Sequence, residues 1–175
     1  MQILETERLV LRQLTIDDTH DLFEVLSDPQ AMHYYPAPFT HEQIIGWIEW
    51  NLRNYTQYGF GLWAIVRKDD GLMLGDCGLT MQPVEGQPTI EIGYHLKRAV
   101  WGNGYATEAA LTCRDYAFAV LKAAHVVSIV SPQNTPSRRV AERMHTALRE
   151  FVWQKTQSTM CLYSTEQPPS MAAQP

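Results

Sequence analysis

Two glycines in Trp101-Gly102-Asn103-Gly104-Tyr105-Ala106 stand between a strand-like run, residues 89–96, and a helix-like run, residues 106–121. A strand-to-helix turn without Cβ atoms lets a ligand come close to the backbone. The helix behind it adds unpaired N–H groups and the positive end of its dipole, so the chemistry on offer is phosphate binding. The spacing excludes the usual nucleotide loops. A dinucleotide fingerprint needs a third glycine where Thr107 stands, and a P-loop needs Lys-Ser or Lys-Thr where Tyr105-Ala106 stands. By itself the sequence also fits a tight turn whose glycines only relieve crowding.

Side chains able to move protons flank this turn. Alternation along 89–96 puts Glu91, Gly93 and His95 on one face and Ile90, Ile92, Tyr94 and Leu96 on the other. A mid-strand carboxylate one strand ahead of a phosphate turn suits a proton acceptor; the plainer alternative is a solvated or ion-paired residue. His95 is the rival base, because its ordinary pKa lies near working pH. Asn134 and Ser137 follow the strand-like run 125–130 and straddle a helix start, where both residue types also serve as caps. His33, Tyr34, Tyr35, Phe39, Trp47 and Trp50 form an aromatic-rich stretch. It fits loop and core packing, or the wall of a cleft in which rings favour a cation.

These residues together resemble the GNAT superfamily of N-acetyltransferases. Gly104 and Ala106 fill the last two fixed positions of its pyrophosphate loop, Gln/Arg-x-x-Gly-x-Gly/Ala, and Trp101 stands where Gln or Arg is usual. The form Trp-Gly-x-Gly-Tyr-Ala-Thr-Glu-Ala is similar to the branch related to RimJ and RimL, the ribosomal-protein N-terminal acetyltransferases. Further landmarks run in order along the chain: residues 5–12, Asp28-Pro29, the Glu91 strand, residues 134–137 and Leu162-Tyr163.

The resemblance implies acetyl-CoA as co-substrate and a primary amine as acceptor, either a protein N-terminus or a small molecule. Glu91 would be the general base for direct attack. Residues Trp101, Gly102, Asn103, Gly104, Tyr105 and Ala106 would hold the pyrophosphate, mainly through backbone N–H groups. His95 and Leu96 would pair through their backbone with the pantetheine arm, and Asn134 and Ser137 would contact the arm or the thioester. Acceptor binding would fall to His33, Tyr34, Tyr35 and Trp47. Many members carry a Tyr acid seven residues after the Asn, where this chain has Ala141; Ser137 is then the candidate acid, with water the other option. His145-Thr146-Ala147 also departs from the usual Gly followed by an aromatic or Met. These departures favour the alternative of a catalytically inactive acyl-CoA-binding module, whereas retention of Glu91, Asn134 and Ser137 favours the enzyme.

The elements that must position these groups follow from periodicity and punctuation. Residues 9–14 read as a strand. Thr15 with Asp18 resembles a capping box and opens a short helix through Leu22, Phe23 and Leu26 that stops before Pro29. Thr40 opens a second helix with Ile44, Ile45, Ile48 and Leu52 on its apolar face. Strands are expected over 62–67 and 72–80 around an Asp69-Asp70-Gly71 turn, followed by a turn over 82–88. The central helix carries the stripe Ala106, Ala109, Ala110, Cys113, Ala117, Val120 and Leu121, small enough to lie close on a sheet. A strand over 125–130, a helix from Thr135-Pro136 burying Val140 and Met144, and strands over 151–155 and 159–163 complete the set. This order predicts an α/β fold of the α+β type: one GNAT-like domain over 1–165, a mixed twisted sheet flanked by about four helices, and a Pro/Gln-rich tail over 166–175.

The length suits one domain, able to bury ~70% of its unfolded surface. A net charge of −5 argues against a nucleic-acid partner, which needs a basic face. No apolar run approaches a membrane span, and the first residues lack a signal-peptide pattern, so a cytoplasmic protein is expected. The three cysteines and six histidines show no metal-ligand spacing, so no metal is expected, and the cysteines read as small buried hydrophobes. A sheet edge near the C-terminus makes a homodimer reasonable.

Overall fold

The longest strands, β4 (Met73–Val84) and β5 (Gln87–Leu96), form one hairpin, and the rest of the sheet is built outward from it. In this computed structural model, which describes residues 1–167, β1 (Gln2–Glu5), β2 (Leu9–Gln13) and β3 (Leu62–Arg67) extend one side. β6 (His125–Val130), β7 (Ala147–Trp153) and β8 (Ser158–Glu166) extend the other, giving the order β1-β2-β3-β4-β5-β6-β8-β7. Among the described residues only β5 and β6 run parallel, and helix α3 (Tyr105–Ala119) supplies the crossover that a parallel pair requires. Their ladder is confined to one register pair, Glu91 with Val127; beyond it, residues 92–96 and 128–131 line an open cleft.

Helices α1 (Thr19–Leu26) and α2 (His41–Tyr58) cover one face of the sheet, burying Leu22, Leu26, Ile44 and Ile48 against Leu14, Ala64 and Met73. Helix α3 and helix α4 (Thr135–Met144) cover the opposite face. Ala109, Ala110, Cys113 and Ala117 lie there against Leu79 and Ile92, so small side chains bring the α3 axis close to the strands. Each fully buried Leu or Ile contributes roughly 1.5–3 kcal/mol. The mixed α/β sheet with four helices is the architecture expected. Cys77, Cys113 and Cys161 are free and buried.

Several boundaries differ from the sequence reading, each for a physical reason. The broad turn over 82–88 is only Glu85-Gly86, with φ of 50° and 82°. That two-residue turn matches the strand twist, so β4 and β5 continue through Pro83 and Pro88, which sit opposite each other. In α2, Leu52 is exposed while Asn51 is buried, because the Asn51 Oδ1 accepts the Leu62 N–H at 2.7 Å and caps the start of β3. Val120 is 59% exposed because α3 ends at Ala119 and the chain turns away. An added N-terminal strand, β1, and longer β7 and β8 bring the sheet to eight strands among the described residues. Glu166 closes β8 and Gln167 N–H bonds the Ala124 carbonyl, so the expected tail does not begin at 166; residues 168–175 lie outside the described residues.

Candidate active site

The cleft between β5 and β6 has a volume of about 2380 Å³. That exceeds the roughly 300–1,000 Å³ of a typical single-ligand pocket, so two ligands fit side by side. Its lining includes Glu91, His95, Leu96, Trp101, Gly102, Gly104, Tyr105, Ala106, Asn134 and Ser137, together with His33, Tyr34, Tyr35 and Trp47. The fold therefore gathers nearly all the residues singled out from sequence around one space. Asn103, in the same loop, is exposed, and its amide donates back to the Val100 and Trp101 carbonyls at 3.0 and 3.2 Å.

At one end lies the glycine turn. Gly104 is the N-cap of α3 with φ of 82°, a conformation that L side chains rarely adopt. The first N–H groups of α3 have no intrahelical partners and face this turn. Arg8 braces it from behind: Nη1 donates to the Asn103 carbonyl at 3.0 Å, and the guanidinium lies 4.5 Å from the Tyr105 ring centre. Glu108 holds Arg8 in turn, accepting from Nε at 2.7 Å. Burial works against the Glu108 charge, but Thr6 and Arg8 outweigh it and keep the carboxyl below its ordinary value. Trp101, standing in place of Gln or Arg, donates its indole N–H to the Leu96 carbonyl at 2.9 Å and so ties the loop to the end of β5.

At the other end, Glu91, Gly93 and His95 face the side of the sheet that α1 and α2 cover. The neighbouring β4 residues Asp76, Gly78 and Thr80 pair with them in register. A line of donors runs into the Glu91 carboxylate. Lys155 Nζ donates to Gln82 Oε1 at 2.6 Å, Gln82 Nε2 to Thr80 Oγ1 at 3.1 Å, and Thr80 Oγ1 to Glu91 Oε2 at 2.9 Å. Burial raises the Glu91 proton affinity above the ordinary carboxylate value, while Thr80, the Ile129 N–H, Gln82 and Lys155 pull it back. A carboxyl in this state accepts a proton readily.

The His95 side chain makes contacts that its expected backbone role does not include. Its side chain joins Asp76 through Nδ1 at 2.7 Å and the Tyr35 hydroxyl through Nε2 at 2.6 Å. Gly75 makes this possible. It bends β4 at φ of 148°, and a Cβ there would meet the His95 carbonyl at 2.0 Å. Trp47 Nε1 donates to the second Asp76 oxygen at 2.8 Å. Across the mouth of the cleft, the Tyr34 hydroxyl donates to the Gln133 carbonyl at 2.9 Å. Asn134 caps α4, its Oδ1 accepting the Ser137 N–H at 3.2 Å, and Tyr94 donates to the Ser137 carbonyl at 2.8 Å.

His145, the departure at the end of α4, backs the Ser128 hydroxyl that crosses the split in the sheet. Ser128 Oγ donates to the Ile92 carbonyl at 2.9 Å, so it accepts from His145 Nε2 at 3.1 Å, while His145 Nδ1 faces Thr165 Oγ1 at 3.2 Å. Burial, with help from Arg114, lowers the His145 pKa to about 4, so the ring is neutral.

Sequence reasoning missed Arg8, Asp76, Thr80, Gln82 and Lys155. A signal existed for three of them: Asp76, Gly78, Thr80 and Gln82 alternate with Cys77, Leu79 and Met81, which marks one polar strand face. Arg8 and Lys155 left no local signal. Among the described residues no cluster of His, Cys, Asp or Glu could hold a metal ion, and no helix is long and apolar enough to cross a membrane.

Comparison with known proteins agrees with this geometry. Residues 8–146 match the family described as the acetyltransferase (GNAT) domain. The uncharacterized protein YkkB of Bacillus subtilis (strain 168) is 40% identical over 155 residues, which is 87% of this chain and 90% of that one. The uncharacterized N-acetyltransferase p20 of Bacillus licheniformis is 34% identical over 139 residues, 78% of each chain. The crystal structure of the acetyltransferase from Agrobacterium tumefaciens str. C58 superposes with a TM-score of 0.83 at 30% identity, covering 95% of both chains. The chain therefore belongs to the GNAT acetyltransferases, enzymes that take their acetyl group from acetyl-CoA.

Proposed function

We propose that the protein acetylates a primary amine, either a protein N-terminus or a small molecule, with Glu91 as general base. The observation that carries this is the Glu91 carboxylate where the β5–β6 ladder stops, supplied with donors by Thr80 and facing the cleft. The amine nitrogen attacks the thioester carbon while its proton passes to Glu91, directly or through one water. The carbon–sulfur bond then breaks, and the thiolate takes a proton from Ser137 or water. The glycine turn and the N-terminus of α3 fit the pyrophosphate of acetyl-CoA, since Gly104 opens the helix at φ of 82° and the first N–H groups of α3 lie free beside it. Tyr34, Tyr35, Trp47 and Trp50 line the acceptor side, and Trp47 and Trp50 lie 5.1 Å apart. Rings so arranged suit an amine that arrives as a cation.

The test is a panel of amines and N-terminal peptides offered with acetyl-CoA, with free thiol release as the readout. Release that depends on the amine is expected. Tight acetyl-CoA binding without turnover on any amine would favour a binding module instead.

A further inference from the structure

Two arginines of α4 line the cleft and take no part in the chemistry described above. Arg139 and Arg143 are exposed and stand at i and i+4, so they project from one face of the helix. Like charges in that arrangement repel and weaken a helix. Among the described residues no carboxylate offsets either of them. Glu142, the acid between them in sequence, is engaged elsewhere: it accepts the Tyr163 hydroxyl at 3.2 Å and lies 4.0 Å from Arg138. Glu108, which lines the cleft from α3, is held by Thr6 and Arg8.

The placing of α4 puts this pair near the glycine turn. Tyr94 of β5 donates to the Ser137 carbonyl at 2.8 Å, and Arg114 of α3 donates to the Met144 carbonyl at 3.0 Å, so α4 is tied to both neighbours. Thr107, Leu111 and Arg114 fall at i, i+4 and i+7 on one face of α3, and the first two line the cleft. Val140, next to Arg139, is buried in the core against which Leu111 packs. The arginines therefore stand beside the first half of α3. Leu111 lies about 10 Å from Gly104 along that helix, at ~1.5 Å per residue.

Acetyl-CoA held at the turn by its pyrophosphate extends in two directions. Pantetheine enters the split towards Glu91, and the other end is an adenosine whose 3′-phosphate lies a few bonds from the pyrophosphate. We propose that Arg139 and Arg143 bind this 3′-phosphate and so select the acetyl donor. Guanidinium forks match phosphate oxygens, and an anion between the two removes their mutual repulsion. The donor class is then a free coenzyme A thioester. A thioester on the phosphopantetheine of a carrier protein, which has neither adenosine nor 3′-phosphate, is disfavoured. This inference rests on the glycine turn holding the pyrophosphate.

Acetyl-CoA and acetyl-3′-dephospho-CoA differ only in the group at issue, and their dissociation constants are measured by calorimetry on the full chain. The wild type should bind acetyl-CoA about tenfold more tightly than the dephospho compound. The double variant Arg139→Gln, Arg143→Gln should bring that ratio to within about twofold by weakening acetyl-CoA alone. Arg139→Lys with Arg143→Lys keeps the charge without the fork and should keep part of the ratio. The dephospho compound separates recognition from damage, because a merely structural loss weakens both ligands alike. A wild-type ratio near one, a ratio that persists in the glutamine variant, or equal weakening of both ligands overturns the inference. Tight binding of both compounds at a ratio near one leaves the turn standing. An arginine-dependent ratio together with unchanged affinity in Gly104→Val instead overturns the placing of the pyrophosphate.

Discussion

The proposed phosphate end of the cleft and its proposed acceptor end are built on opposite principles. The first is mostly backbone: a glycine turn and the N-terminus of α3, from six consecutive residues braced by Arg8. The second is almost wholly side chains, drawn from the α1–α2 loop, α2, β4, β5 and the β7–β8 turn. A pyrophosphate needs only N–H groups and a dipole, which any sequence supplies once the turn is allowed. Moving a proton and choosing an amine need specific functional groups held at fixed distances. The backbone end should therefore fail through shape, and the side-chain end through chemistry.

The largest expected effect is at the turn. Gly104→Val places a branched side chain at φ of 82° and against the Arg8 guanidinium that braces the turn, and acetyl-CoA binding should be lost by calorimetry. Near-wild-type affinity would sink the pyrophosphate assignment. Glu91→Gln should do the reverse, lowering kcat by ~10²–10⁴-fold while acetyl-CoA affinity changes little. An unchanged kcat at saturating amine and pH 7 would remove Glu91 from the role of base.

The support behind the split comes next, and two buried histidines of the molecule are shifted in opposite directions. The neutral His145, with its pKa lowered from 6.5 to about 4, binds a proton more readily unfolded than folded. Its contribution is complete above pH 6.5 and is lost as pH falls towards 4, an amount of about 3 kcal/mol for a shift of that size. The charged His95 contributes below pH 6.5 and loses that contribution as pH rises through 10. Denaturant titrations from pH 7 to 4 should show the acid loss in the wild type and a shallower one in His145→Gln. Equal slopes would remove His145 from the acid transition.

The smallest effect tests the donor line into Glu91. Lys155→Met removes a group that lowers the Glu91 pKa, so the acid limb of the kcat/KM profile should move to higher pH. Lys155→Arg should restore it. A limb that stays in place in Lys155→Met would show that the line orients Glu91 without tuning it.

Legibility in the sequence followed the same division. Gly104, Ala106, Glu91, Asn134 and Ser137 could be picked out because each belongs to a short pattern with a local meaning. The face of β5 that carries Glu91 and His95 followed from period-two alternation alone. The turn at Glu85-Gly86 was overdrawn, because Pro83 and Pro88 look like strand breakers until their pairing is seen. The side-chain partners of His95 went unread because Asp76 and Tyr35 lie 19 and 60 residues away. Val120 fitted the apolar stripe of α3 but lies past its end, where the helical period no longer applies.

By itself the sequence determined most of the elements, most of their apolar sides, and the glycine turn, because these depend on neighbours within a few residues. Only the tertiary structure decided that Asp76 and Tyr35 both meet the His95 ring, and that Lys155 reaches Glu91 through Gln82 and Thr80. Proton affinity and hydrogen-bond direction are set by burial and by partners in space, and folding chooses those partners without regard to their distance along the chain.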